Sequence, residues 1–521
     1  MKGAVAAGHE ITAQAGARAL EEGGNAVDAC IAAAFASWVA ESPLTGPGAG
    51  GFMLVHRGHD RSSRLLDFFV ATPGQGLRRR QRAEMDTVDI PFEGSDTTQR
   101  FLIGHASCAV PGTVAGLADA HRAYGTLPWA ELLAPAIELA RSGVVMSDAQ
   151  ALLHMLLDSI LRHTPESRAV YGKRSRLLAG DTLVTRELAG TLEELAVEGP
   201  RAFYMGDIAR AVVAHVQEHG GTITRRDLED YRVIRRRPVE AAYRRHTFGS
   251  NPPPSSGGVL IGYGLAILDH LGSPGEAGSA SELSILIETL LEQNRVRGPR
   301  FSRDLYRGGL ARRLLADASV AEGARRVGTG TRIPAKVASP AGTTHISAMD
   351  ADGNAAALSS STGAGSGVVV PGTGIHLNNM LGEHDLQPSG PPPAPGTRLT
   401  SMMAPSIVSR SGNPRLVLGS AGSARLRAAI MQVVVNVVGY GMGVEQAIVS
   451  PRIHVDEEKV HAEGGHDRAA LDELERAGYD VHRWRHLDLY FGGVAAVERL
   501  SDGTLAAAGD PRRGGHGVVV P

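Results

Sequence analysis

The chain has 521 residues, with 53 lysines and arginines against 55 aspartates and glutamates, giving a formal net charge of −2. That balance offers no electrostatic case for nucleic acid or an anionic membrane as a partner, and the length alone suggests about three domains. With only two cysteines, Cys30 and Cys108, a disulfide framework and a cysteine-based metal site are excluded by count, and no apolar run approaches the roughly 18 residues of a membrane helix.

In chain order, the first 40 residues read as two alanine-rich helices broken at Gly23-Gly24. Cys30 falls in Val27-Asp28-Ala29-Cys30-Ile31, which reads as buried helix and makes it an inert core thiol. The glycine-rich stretch Thr45 to Gly51 follows, and its small residues let backbones approach closely before a strand over Phe52 to Arg57. A charged insert, about Gln75 to Arg100, is expected to be irregular, and a mainly helical region runs from Val114 to about Val216. The arginine runs Arg78 to Arg80 and Arg235 to Arg237 read as solvated faces. Pro252, Pro253 and Pro254 predict a rigid turn, after which helices extend from about Val259 to Glu322.

A loop from Gly328 to Gly342, broken by Pro334 and Pro340, then gives way to a strand that opens with Thr343-Thr344-His345-Ile346-Ser347. A hydroxyl residue directly after a glycine-ended linker can be set free as a new N-terminus. An N-terminal threonine carries nucleophile and base on one residue, because its α-amine, with a pKa of roughly 7.7–8.0, takes the hydroxyl proton. Asp352-Gly353 marks a two-residue hairpin turn, and antiparallel pairing about it brings Ser361 and Thr362 beside Thr343 and Thr344. By itself the stretch reads first as an ordinary polar-ended hairpin, since paired threonines and Asp-Gly turns are common. Further on, the proline-rich Gln387 to Thr397 is either a cover over a cavity or a surface connection, and Leu416-Val417-Leu418 and Val518-Val519-Val520 read as core strands. Gly46, Gly48 and Gly51 form no phosphate loop before a helix, and the histidines show no HExxH-like zinc spacing.

Ordered motifs run through the whole chain: Ala6-Ala7-Gly8-His9, Gly23-Gly24-Asn25-Ala26-Val27-Asp28, Gly48-Ala49-Gly50-Gly51-Phe52, Val110-Pro111-Gly112-Thr113, Pro252 to Gly258, then Thr343 to Ser347, Asp352-Gly353-Asn354, Gly365-Ser366-Gly367, Pro371 to Gly374 and Leu377-Asn378-Asn379. In this order they resemble the γ-glutamyltranspeptidase family, as a divergent bacterial-type member. The resemblance implies an α+β fold, the N-terminal nucleophile hydrolase αββα sandwich, with two stacked antiparallel sheets between helical layers. It further implies self-cleavage between Gly342 and Thr343, so that residues 1–342 and 343–521 form one composite heterodimer. Thr343 is then the nucleophile, Ser361 the adjoining hydroxyl where the family usually has threonine, and Gly422 and Ser423 the oxyanion loop; His345 keeps a structural place.

Substrate positions implied by the resemblance depart from the family. Phe69 stands where members hold an α-carboxylate with arginine, and an apolar ring cannot replace a guanidinium fork. The asparagine expected near Gly363 is missing, Met380 replaces a polar residue, and Met402 replaces one of two carboxylate-binding serines. Glu383 and Ser401 keep the amine-pairing acid and the other serine. The expected activity is hydrolysis or transfer of an amide-linked, γ-glutamyl-type acyl group through an acyl-enzyme on Thr343, acting on a small molecule without metal or organic cofactor. Two alternatives remain: hydrolysis of a C–C bond to an oxalyl-type group in alkylproline antibiotic biosynthesis, and a non-catalytic binding protein of the same fold. Because Met1-Lys2-Gly3 leads straight into the first motif, with no room for a signal peptide, a cytoplasmic location is expected.

Overall fold

Apolar residues alternate between the two faces of the strand Gly342–Asp350, and this sets the layering. Ile346 and Ala348 join one core with the N-terminal helices, while His345 and Ser347 point the opposite way, where Ser347 Oγ donates to the Ala495 carbonyl at 3.0 Å on a second sheet. The computed structural model describes all residues except 79–82, 92–97, 273–274, 330–341, 384–392 and 457–458.

The first sheet has seven strands, in the order His516–Val520, Gly3–Ala7, Gly342–Asp350, Ala355–Gly363, Gly50–Arg57, Ser62–Phe68 and Ile234–Arg236. The second has six, in the order Leu505–Gly509, Gly493–Arg499, Asn413–Ala421, Ser406–Arg410, His246–Ser250 and Val239–Tyr243. Every pairing within both is antiparallel. Helices Glu10–Glu21 and Ala26–Ala40 cover the outer face of the first sheet, and Gly257–Leu271 and Leu426–Val434 cover that of the second. This is the expected α+β sandwich of two stacked sheets between helical layers. Each sheet takes strands from both sides of Gly342, so neither stretch of chain closes a sheet alone.

Local chemistry explains why these segments take these forms. Helix Ala26–Ala40 is apolar all round and entirely buried, as a helix inside a layer should be. Its start is fixed by a capping box: Asn25 Oδ1 accepts from Val27 N and Asp28 N at 2.8 and 3.1 Å, and Asp28 Oδ2 accepts from Asn25 N at 3.0 Å, an arrangement worth about 1 kcal/mol. Cys30 is buried there as expected, its thiol pushed up by burial.

Several expectations need correcting. The insert is irregular only at its start, over residues 75–78 and 83–85: Asp86–Pro91 and Thr98–Ile103 pair as a hairpin, because Ile90, Phe101 and Ile103 share one buried face against Ile160. Arg235 and Arg236 are tethered rather than merely solvated, reaching Asp119 at 3.0 Å and Asp67 at 2.8 Å; Arg79 and Arg80 lie outside the described residues. Of the loop expected from Gly328 to Gly342, helix Asp317–Thr329 takes in the start and strand Gly342–Asp350 the end, while residues 330–341, with Pro334 and Pro340, lie outside the described residues, as do Pro388, Pro391 and Pro392. The hairpin at Asp352-Gly353 is wider than two residues. Met349 pairs with Ala355 and Thr344 with Ser360, because the Asp350 carboxylate accepts from Asn354 N and Nδ2, each at 2.9 Å, and closes a longer turn. Among the described residues no helix is long and apolar enough to cross a membrane.

The two sheets pack closely at Gly419, where an added Cβ would come within 2.3 Å of the His345 ring. We therefore expect Gly419→Ala to lower stability by about 1–3 kcal/mol through overpacking, read as a lower urea midpoint at unchanged slope.

Candidate active site

The pairing of Gly342–Asp350 with Ala355–Gly363 is interrupted at one point: Gly342 pairs with Gly363 and Thr344 with Ser360, so Thr343 alone faces both Ser361 and Thr362. A bulge of this kind re-aims the side chains around it. Here it restores the neighbourhood of Thr343 and Ser361 that a simple two-residue turn would have given by another route. Ser361 Oγ donates to the Gly342 carbonyl and accepts from Gly363 N at 2.9 Å. A hydroxyl thus polarises the carbonyl that precedes Thr343, and a backbone amide holds that hydroxyl in place.

Thr343, Ser361, Phe69, Met380, Glu383, Ser401, Met402 and Ser423 line one cavity, whose empty space, mouth included, is about 480 Å³. Gly363 and Gly422 stand behind this wall rather than in it. Gly422 at φ 119° and Ser423 at φ 55° are consecutive residues with positive φ before the turn Ser423–Arg425. Ser423 has a Cβ in a region that favours glycine, so the loop stores strain of roughly 1 kcal/mol or more.

The apolar wall is firmly built. Phe69 stacks on Phe52 with centroids 5.3 Å apart, its amide donates to Asp67 Oδ1 at 3.1 Å, and its carbonyl accepts from Tyr231 Oη at 2.7 Å. Asp67 in turn binds Arg398 and Arg236 at 3.2 and 2.8 Å, so these two cations are spent on the scaffold and neither lines the cavity. Asn378 accepts from Ala109 N and Met380 N through Oδ1 at 3.0 and 3.2 Å, which fixes Met380 in the wall. Among the described residues Glu383 is the one ionisable side chain of the lining, and its Oε1 accepts from Ala364 N at 3.3 Å.

Ser256, Met403 and Leu426 also line the cavity, and sequence reasoning assigned them no role. Ser256 comes from the Pro-Ser-Ser-Gly-Gly motif, whose small polar residues ahead of an apolar helix were the available signal. Its amide donates to the Ser401 carbonyl at 2.7 Å, lashing the motif to the Ser401-Met402-Met403 strip. Glu41 was missed as well. It lies almost wholly buried with its carboxylate accepting from Thr344 Oγ1 at 2.6 Å and Thr12 Oγ1 at 2.7 Å, and burial raises its pKa against the pull of those hydroxyls. It shares with Thr343 a second cavity on the far side, of about 310 Å³.

These features carry the comparison with known proteins. The sequence model of gamma-glutamyltranspeptidase matches residues 12–520. The chain belongs to this family. It is 32% identical over 542 residues to the glutathione hydrolase proenzyme of Escherichia coli, covering 98% of this chain and 90% of that one. It is 30% identical over 532 residues to the acylase ACY 1 proenzyme of a Pseudomonas species, covering 100% and 94%. In structure it resembles the cephalosporin acylase of Bacillus halodurans, with a TM-score of 0.85 and 24% identity over 99% of this chain and 95% of that one. The protein is accordingly an enzyme of the hydrolase and acyltransferase type that the family comprises, on the N-terminal nucleophile hydrolase fold.

His345, on the same strand two residues on, is built in as a strut. Its Nδ1 and Nε2 engage Ser359 Oγ at 2.8 Å and Ser347 Oγ at 3.0 Å, and burial pushes its pKa down to about 3. Because this folded-state value lies below the ordinary 6.5, the unfolded chain takes up the proton first. The stability that neutral His345 contributes is present above about pH 6.5 and is lost as the pH falls towards 3. Between pH 7.5 and pH 5.0 that loss amounts to about 2 kcal/mol. Urea titrations at the two pH values should give a drop smaller by about that amount in His345→Asn than in the parent.

Proposed function

We propose that the protein is a self-processing amidohydrolase or acyltransferase in which Thr343 is the nucleophile, first of its own cleavage and then of substrate turnover. The observation that carries this reading is the Ser361 hydroxyl donating to the Gly342 carbonyl beside a buried Thr343 at the mouth of a cavity. In the precursor, Thr343 Oγ adds to the Gly342 carbonyl carbon, and Ser361 stabilises the oxyanion as it forms. The Gly342–Thr343 C–N bond breaks, leaving an ester from Gly342 to Thr343 Oγ and a free α-amine. Water then cleaves the ester, giving a Gly342 carboxylate and an N-terminal Thr343. The fragments 1–342 and 343–521 remain together because each sheet takes strands from both.

In turnover, the α-amine takes the Thr343 hydroxyl proton, the oxygen attacks the substrate carbonyl, and the acyl group passes to water or to an acceptor amine. The backbone of Gly422 and Ser423 supplies the candidate donors for the substrate oxyanion. Specificity follows from charge. Among the described residues the lining holds Glu383 and no cation, with Phe69, Met380, Met402 and Leu426 making the rest largely apolar. Such a pocket suits an acyl group that bears an amine and apolar bulk. A free α-carboxylate finds no guanidinium among the described lining residues, and the absence of such a partner in a buried site typically costs about 2–5 kcal/mol. The glutathione hydrolase activity in the names of relatives is therefore not carried over as the main reaction of this chain.

Two experiments test the reading. Intact-mass measurement under denaturing conditions should give fragments 1–342 and 343–521 from the parent and a single chain from Thr343→Ala, while Ser361→Ala should slow cleavage by roughly 10²–10³-fold, the usual effect of removing an oxyanion donor. An uncut parent chain would sink the proposal. On the processed enzyme, amidating the α-carboxylate of a γ-glutamyl anilide should change kcat/KM by less than about tenfold, whereas acetylating its amine should lower it by tenfold or more, as expected for loss of a charged partner of Glu383. The reverse order of sensitivities would refute the pocket assignment.

A further inference from the structure

Outside the cavity, His105 converges with two histidines of one helix end more than a hundred residues further along the chain. His215 lies in helix Asp207–Glu218 and His219 caps its end, four residues on and hence on the same face. His105 comes from the short turn His105–Ser107 that follows the insert hairpin. One ring nitrogen from each lies within 4.8 Å of the others. His105 Nε2 and His215 Nε2 face each other at 3.2 Å, and the rings of His105 and His219 stack with centroids 4.3 Å apart.

We propose that His105, His215 and His219 form a site for a divalent transition-metal ion of the zinc class. A tetrahedral zinc with Zn–N bonds of about 2.0–2.1 Å sets its ligand nitrogens about 3.3–3.4 Å apart, so the His105–His215 spacing already fits two ligands. His219 Nδ1 donates to the His215 carbonyl at 2.9 Å. That bond leaves its Nε2 without the proton and available as a ligand, in the way backbone carbonyls orient metal-binding imidazoles. Three imidazoles suit zinc, copper or nickel and not magnesium or calcium.

The backbone is held where the ligands need it. An added Cβ at Gly221 would come within 2.6 Å of the His105 carbonyl oxygen, so the chain leaving the helix packs directly on the turn. The same turn supports the acyl cavity: Gly104 N donates to the Ser366 carbonyl at 2.8 Å and Ser107 O accepts from Leu381 N at 2.9 Å, next to Met380. A metal here is a staple between helix Asp207–Glu218 and one wall of the pocket, with three protein ligands and one position left to water. It takes no part in the chemistry at Thr343.

The test uses the full-length protein without a histidine tag, stripped with chelator and titrated with ZnCl₂ by calorimetry, alongside Co²⁺ for its visible spectrum. Saturable binding of one ion per chain, cobalt bands of tetrahedral strength, and a higher Tm with zinc are expected. His219→Ala and His105→Ala should each weaken binding by at least about tenfold, which is the lower range even for outer-shell partners, and remove the Tm increase. His219 is exposed at a helix end, so its variant keeps the test valid if His105→Ala fails to fold. No saturable binding, or equal zinc affinity in the parent and a folded His219→Ala, would overturn the site and leave a His105–His215 hydrogen bond as the whole of the contact.

Discussion

The structure turns on one irregularity in an otherwise regular ladder. Strand Gly342–Asp350 lies inside the seven-stranded sheet and is covered on both faces, so its register is fixed by packing and tolerates no slip. Within that constraint a single extra residue on the partner strand sets Thr343 against Ser361 and Thr362 together. The hydroxyl of Ser361 can then reach the Gly342 carbonyl, and the peptide bond ahead of Thr343 is presented to the chemistry the sequence suggests. A regular ladder would pair Thr343 with one residue and give the carbonyl an ordinary backbone partner.

Rigidity around this point is supplied by polar groups that are themselves fully engaged. His345 is wedged between Ser359 and Ser347 against Gly419, and Glu41 closes the other side through Thr344 and Thr12. Buried polar groups of this kind stabilise only when satisfied. The same accounting explains the arginines: Arg236 and Arg398 neutralise buried Asp67 behind Phe69, so that among the described residues the cavity lining has no cation and Glu383 is its only charge. Scaffold electrostatics and pocket specificity are therefore two sides of one allocation of charge.

Much of this was legible beforehand because it depends on short-range rules. The apolar helix around Cys30, the core strand at Leu416-Val417-Leu418 and the glycine-to-threonine junction are all local patterns with local causes, whereas Val518-Val519-Val520, read as a core strand, lies at a sheet edge with Val519 exposed. The insert hairpin was missed because its charged residues, such as Arg100 paired to Asp89 at 2.9 Å, hide an alternation that buries only Ile90, Phe101 and Ile103. The turn after Asp350 was misjudged because a carboxylate, and not the Asp-Gly pair, decides its length.

By itself the sequence determined the family, the layered class of fold and the identity of the hydroxyl residue after Gly342, since motif order and strand patterning survive without knowledge of neighbours. It also named most of the residues that meet in the cavity, through their resemblance to a known pattern. Only the tertiary structure decided that Thr343 faces a bulge on its partner strand, that Ser256, Met403 and Leu426 complete the wall, and that His105 meets His215 and His219 across the fold. The last two depend on contacts between segments more than a hundred residues apart, whose distances are set by how whole sheets and helices stack, and the first on a register that packing and not the turn residues decides.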